Sequence, residues 1–222
     1  MYTNLKLRTL LLLFISAFIS AFIFSCKPEG PQPPSESGNV FILNEGNFLA
    51  GNASVDRFDP ETKTLSSDVF FSQNQSPLGD VLQSMTIIGD KGYLVVNNSK
   101  KIEVVSLADF SKIRTITDFA SPRYLLPVSS SEAYVSDLFG GSVSVVNLSS
   151  GIIKGSIPIP GWTEEMLMTS GKVFICNLSR EYVYVVDPET DTVTDSVNVG
   201  MAQQPAARQT KPTLGFEQRR FI

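Results

Sequence analysis

The chain has 222 residues, 42% of them apolar, with a formal net charge of −4 and no histidine. That length suits one or two domains, and the apolar share is ordinary for a globular chain. No basic block offers a phosphate-neutralising face, which argues against nucleic-acid binding, and without histidine this sequence holds no Ser-His-Asp, Cys-His or His-ligated metal site.

At the N-terminus Lys6 and Arg8 precede an apolar run over 10–24. A basic start followed by an apolar stretch too short to span a bilayer comfortably reads as a secretory signal. The run ends Ile23-Phe24-Ser25-Cys26, which resembles a bacterial lipobox; the resemblance implies removal of 1–25 and lipidation of Cys26. The other reading is an uncleaved anchor with a chance cysteine. Both take the protein out of the cytoplasm and hold it at a membrane. Without residues 1–25, the chain carries 16 basic and 22 acidic residues, net −6. Residues 27–38 are rich in Pro, Ser and Glu, cannot bury a core, and are expected to form a flexible tether over 26–38.

From Asn39 onward, short β-branched and aromatic runs alternate with turn residues, the pattern of strands. The first two runs are 39–43 and 54–58, closed by Asp59-Pro60-Glu61-Thr62, a tetrapeptide that recurs at 187–190. Asp can bond its own backbone there while Pro presets φ. Three fuller units follow: 93–97, 102–105 and 112–116; then 134–137, 143–147 and 152–157; then 173–176, 182–186 and 192–199. Their aromatic anchors Tyr93, Tyr134 and Phe174 are 41 and 40 residues apart, and the valine pairs 104/105, 145/146 and 185/186 keep the same spacing. A period near 40 residues built of strands predicts an all-β fold, a β-propeller of four-stranded antiparallel blades with about four blades over 39–200. The alternative is an all-β sandwich with coincidental spacing. The first blade is expected to be partial, with an insertion at 45–52. Segments 82–88, 124–128 and 166–169 are predicted as the innermost strands of the next three.

In that order two sets of connections share one face of the disc. The links between second and third strands carry Asn44, Glu45, Asn47 and Phe48 in the first blade. Asn97 and Asn98, Asp137 and Phe139, and Asn177 and Arg180 follow in the next three. The blade-to-blade links carry Arg123, Tyr124 and Trp162. Amide, guanidinium and aromatic groups on one rim can orient a polar ligand or anchor a partner, so these thirteen are the candidate ligand-binding residues. Asn97, Asp137 and Asn177 also read as turn formers, and Trp162 either packs between blades or faces solvent. Cys176, among apolar neighbours, is expected to be a buried small hydrophobe. No catalytic residue, metal site or cofactor is expected.

Phe174-Ile175-Cys176-Asn177, Val183-Tyr184-Val185-Val186-Asp187 and Val197-Asn198-Val199-Gly200 resemble the YVTN-type β-propeller repeat, as do Tyr134-Val135-Ser136-Asp137 and 143–147. Phe41-Ile42-Leu43-Asn44-Glu45-Gly46-Asn47, Leu78-Gly79-Asp80, Asn97-Asn98-Ser99 and Pro122-Arg123-Tyr124 are similar to lipid-anchored surface propellers of Gram-negative bacteria. Some of those capture cobalamin above a TonB-dependent outer-membrane transporter, and they commonly have seven blades. The resemblance implies an outer-membrane, cell-surface lipoprotein that captures a small nutrient, cobalamin or a similar chelate, for such a transporter. The rival readings are an interaction or adhesion scaffold and, less favoured without histidine, a propeller enzyme.

After Gly200 the pattern stops. Residues 201–222 lack strand alternation and gather Arg208, Lys211, Arg219 and Arg220. They are expected to form an aberrant, disordered tail. Codons can be chosen for which a one-base shift restores an inner strand, a turn and a second strand, so a shifted or truncated reading frame is one account of it. The expected product is an incomplete arc with uncovered end blades, marginally stable or prone to aggregate.

Overall fold

The computed structural model describes residues 38–200 in full, together with the backbone of two strands at 205–210 and 213–218. Cys26 and most of the tether lie outside the described residues. The first sheet is β1 (Val40–Asn44), β2 (Ser54–Asp59) and β3 (Thr64–Ser66) in that order, followed by a short helix α1 (Val69–Asn74). Blade 2 is β4 (Leu82–Ile88), β5 (Lys91–Val96), β6 (Lys101–Ser106) and β7 (Lys112–Ile116). Blade 3 is β8 (Pro122–Pro127), β9 (Glu132–Asp137), β10 (Ser142–Asn147) and β11 (Ile153–Pro158). Blade 4 is β12 (Thr163–Thr169), β13 (Lys172–Asn177), β14 (Tyr182–Asp187) and β15 (Thr192–Asn198). Each is an antiparallel meander whose strands pair in chain order. The inner strands neighbour one another in sequence, β4 beside β8 and β8 beside β12. This is a β-propeller arrangement.

The turns behave as their chemistry dictates. Asp59 Oδ1 accepts from the amides of Glu61 (2.8 Å) and Thr62 (3.2 Å), and Asp187 Oδ1 accepts from that of Glu189 (3.0 Å). On the opposite face, Asn147 Oδ1 caps 149–150 and Ser129 Oγ caps 131–132.

The repeat is exact in register. Tyr93 pairs with Val104, Tyr134 with Val145, and Phe174 with Val185. A shift in pairing to the outer strand follows each time, between 104 and 105, 145 and 146, and 185 and 186. Both valines of each pair are buried. Adjacent strand residues point to opposite faces, and a blade in the arc is covered on both. Val105 therefore enters the cluster between blades 1 and 2, and Val104 the one between blades 2 and 3. Val146 joins Val104, while Val145 packs between blades 3 and 4 with Val186.

Three features differ from the sequence reading. The link after the first blade contains α1, whose Val69 and Phe70 enter the first cluster; one helical turn gives too short a pattern to show periodicity. Strands β8 and β12 begin earlier than expected, because irregularities at 122/125 and 163/166 let pairing resume before the apolar run. Blade 1 has three strands, in keeping with a partial first blade. Finally, part of the expected disordered tail is paired: β16 (Pro205–Thr210) and β17 (Thr213–Gln218) form a hairpin, with β16 beside β12 where the next inner strand would stand. A strand there covers the end of the inner row, and that can outweigh weak propensity.

Candidate functional site

The first residues of the inner strands converge on one array. Arg123 on β8 donates through Nε to both carboxylate oxygens of Glu164 on β12 (2.9 and 3.0 Å) and through Nη1 to Gln83 Oε1 on β4. Gln83 Nε2 returns a bond to Tyr124 Oη (3.2 Å), and that hydroxyl reaches Glu165 Oε1 (3.4 Å). Below the array, Ser84 Oγ and Thr86 Oγ1 donate to the carbonyls of Arg123 and Leu125, both at 2.7 Å, fixing β4 against β8. Gln83, Tyr124 and Glu165 stand 41 residues apart, one per blade.

Burial sets the electrostatics. Glu164 is 3% exposed, and loss of solvent raises its pKa against the opposing pull of Arg123. Burial, then the charges of Glu165 and Glu164, push the Tyr124 hydroxyl up to about 12. The same causes push the buried Cys176 thiol up to about 12, so it is an inert core residue, as its neighbours in sequence predict. Among the described residues no group of three or more acidic, cysteine or histidine side chains could hold a metal.

Above the array sits the loop rim. Phe139 (67% exposed) and Trp162 (46% exposed) meet edge to face with centroids 6.2 Å apart. Trp162 thus faces solvent rather than packing between blades. Its amide donates to Ser179 Oγ (3.0 Å) and its carbonyl accepts from Leu178, which ties the aromatic pair to blade 4. Farther along, Phe48 is 70% exposed on the insertion loop, where the amide of Leu49 donates to both carboxylate oxygens of Asp80 (2.9 and 3.1 Å).

The remaining candidates divide by what their polar atoms do. Asp137, almost wholly buried, accepts from the amides of Ala120, Ser121, Phe139 and Gly140. Buried Asn177 donates to the Pro160 carbonyl and accepts from Ser179. Asn97 donates to Ser121 Oγ (2.8 Å) and the Pro122 carbonyl (3.0 Å). Asn98 donates to Asp80, and Asn44 to Ser54 Oγ. Asp137 and Asn177 accept from amides two or three residues on, which is the turn-forming role, whereas Asn97, Asn98 and Asn44 bond across to other segments. Glu45, Asn47 and Arg180 are exposed. The array thus joins only Arg123 and Tyr124 of the thirteen, adding Gln83, Glu164 and Glu165. The 41-residue offset could have found those three, but starting β12 at Met166 left both acids in a loop.

The chain belongs to the family described as "Domain of unknown function (DUF5074)", which matches residues 38–209. No curated protein matches it. Among solved structures it is similar to the computationally designed Ika8 protein, at TM-score 0.60 and 10% identity, over 78% of this chain and 54% of that one. It is also similar to dihydro-heme d1 dehydrogenase NirN in complex with DHE, at TM-score 0.54 and 10% identity, over 67% and 34%. A third is the WD40 β-propeller domain of Doa1, at TM-score 0.51 and 13% identity, over 68% and 51%. At these identities the likeness shows the fold alone. The chain spans between 34% and 54% of those structures' own length.

Proposed function

We propose that this propeller is a non-catalytic binding module that captures a small nutrient, cobalamin-like or another chelate, for a TonB-dependent transporter, held at the outer membrane by a lipid on Cys26. The observation that carries it is the joining of Arg123, Gln83, Tyr124, Glu164 and Glu165 in one bonded array beneath an exposed Phe139–Trp162 pair. These side chains offer polar groups to a ligand's polar parts and aromatic faces to its apolar parts. A preformed array needs no bond chemistry to do this.

The direct test is titration of the protein with cobalamin, followed by its absorbance. Micromolar binding is expected, and the double variant Arg123→Gln/Glu164→Gln, which removes both charges together, weakens it by about tenfold or more. Absence of binding at micromolar cobalamin removes the nutrient reading. The anchor is tested separately: palmitate incorporation is expected in the parent and lost in Cys26→Ala.

A second reading, a scaffold that docks a protein, draws on the exposure of Phe48, Leu49, Phe139 and Trp162. Aromatic anchors of this kind dominate protein interfaces. If a partner binds, Phe139→Ser/Trp162→Ser abolishes that contact.

A further inference from the structure

Arg57 breaks the repeat. It pairs with Phe41 on β1 as Val185 pairs with Phe174 on β13, and it stands two residues before Asp59 as Val185 stands two before Asp187. The residues at this position in blades 2, 3 and 4 are Val104, Val145 and Val185, all buried. In blade 1 a guanidinium takes the valine's place and lines a cleft of about 260 Å³ between blades 1 and 2. Among the described residues it forms no ion pair. Its charge is the smallest of the influences on the exposed Asp59 carboxyl. The walls of the cleft are tied together. The Asp68 amide donates to Asp56 Oδ1 (2.9 Å), which sets the start of α1 against β2. Asn74 Nδ2 donates to the carbonyls of Phe70 (2.9 Å) and Phe110 (3.0 Å), and Asn74 Oδ1 accepts from the Lys112 amide (2.8 Å), which sets α1 against blade 2. On the blade 2 side the cleft is lined by Asp109, whose Oδ1 accepts from the amide (3.0 Å) and hydroxyl (2.7 Å) of Ser111. These bonds hold its carboxyl below the usual range, so it is ionised at neutral pH. Ser66 and Ser72 add hydroxyls, and the buried Val69 and Phe110 add apolar surface. Two opposite charges thus line one preformed cleft without pairing with each other.

We propose that this cleft binds a free amino acid with an apolar side chain, its carboxylate on Arg57, its ammonium on Asp109 and its side chain against Val69 and Phe110. A guanidinium is the group best shaped to take a carboxylate, through two parallel N–H donors. A ligand with only a negative charge would meet Asp109, and one with only a positive charge would meet Arg57, so the lining selects a molecule that carries both. The volume suits one amino acid and is small for a larger ligand. This site is separate from the rim array and stands without it.

The probe is L-leucine, titrated into the full protein and followed by calorimetry. Saturable binding of one leucine per chain is expected. Two half-ligands separate the charges without altering the protein. Isocaproate lacks the ammonium and isoamylamine lacks the carboxylate, and each is expected to bind about tenfold or more weakly than leucine. Arg57→Gln and Asp109→Asn are each expected to weaken leucine by a similar factor. The double variant Arg123→Gln/Glu164→Gln leaves leucine binding unchanged, which separates this cleft from the rim. Absence of leucine binding overturns the proposal. So does isocaproate binding as tightly as leucine, since the cleft then reads an anion alone.

Discussion

Glu164 is the residue whose burial has the clearest thermodynamic consequence. Its carboxyl is more easily protonated in the fold than in the unfolded chain, chiefly because solvent is excluded and despite Arg123. The folded protein therefore binds more protons, so this group's contribution is fully present below the ordinary value of 4.5 and declines as pH rises through the raised one. We expect Glu164→Gln to flatten that decline when urea midpoints are compared from pH 4 to pH 8; an unaltered slope would assign the dependence elsewhere. Gly161 shows a different constraint. Its φ is +104°, and an added Cβ would lie 2.4 Å from Ser179 Oγ and 2.8 Å from Asn177 Oδ1. Gly161→Ala should cost about 2 kcal/mol or more, read as a lowered denaturation midpoint. Such roles were only partly legible in the sequence. The aspartate turns at 59 and 187 followed from local chemistry, because their partners lie two or three residues away. The Arg123–Glu164 pair spans 41 residues, and seeing it required the correct start of β12.

At the scale of the blade, the valine pairs and aromatic anchors were readable because blades 2, 3 and 4 repeat one register and bury both valines of each pair. The same spacing hid differences among blades. Tyr93, Tyr134 and Phe174 are equivalent by register, but only the Tyr134 hydroxyl donates across to Asp191, in the last turn of the next blade. Tyr134 is fully buried, and burial first, then this bond to Asp191, raise its pKa well above the usual tyrosine value. Removing the hydroxyl leaves the partly covered Asp191 without that donor while preserving the ring's packing. Tyr134→Phe is expected to cost about 1–2 kcal/mol in chemical denaturation. The corresponding Phe substitution at Tyr93, where no such bond is formed, should cost distinctly less. Equal losses at both positions would show that ring packing, not the blade-to-blade bond, governs the difference. Helix α1 marks the limit of the pattern approach at this scale: it follows from Asp68 accepting the Phe71 amide and from Phe70 reaching the core, neither of which has a period.

Across the whole molecule, the core is three clusters rather than one, each trapped between successive blades. A blade thus contacts its neighbours and little else, and stability is a chain of local terms. The face of blade 1 away from blade 2 has no such cluster among the described residues: Val40, Ile42 and Leu65 are 49%, 43% and 55% exposed, while Leu94, Val135 and Ile175, which correspond to Ile42, are fully buried. Blade 1 should therefore open first, and damage elsewhere should stay local. Ile175→Ala removes a buried side chain from the cluster between blades 3 and 4, at a cost of about 3 kcal/mol. If the clusters are coupled only through intervening blades, amide exchange in β13 and β14 should accelerate strongly, while that in β5 and β6 changes little. Uniform acceleration across all blades would instead mean that the arc unfolds as one cooperative unit, and the division into three cores would have no thermodynamic meaning.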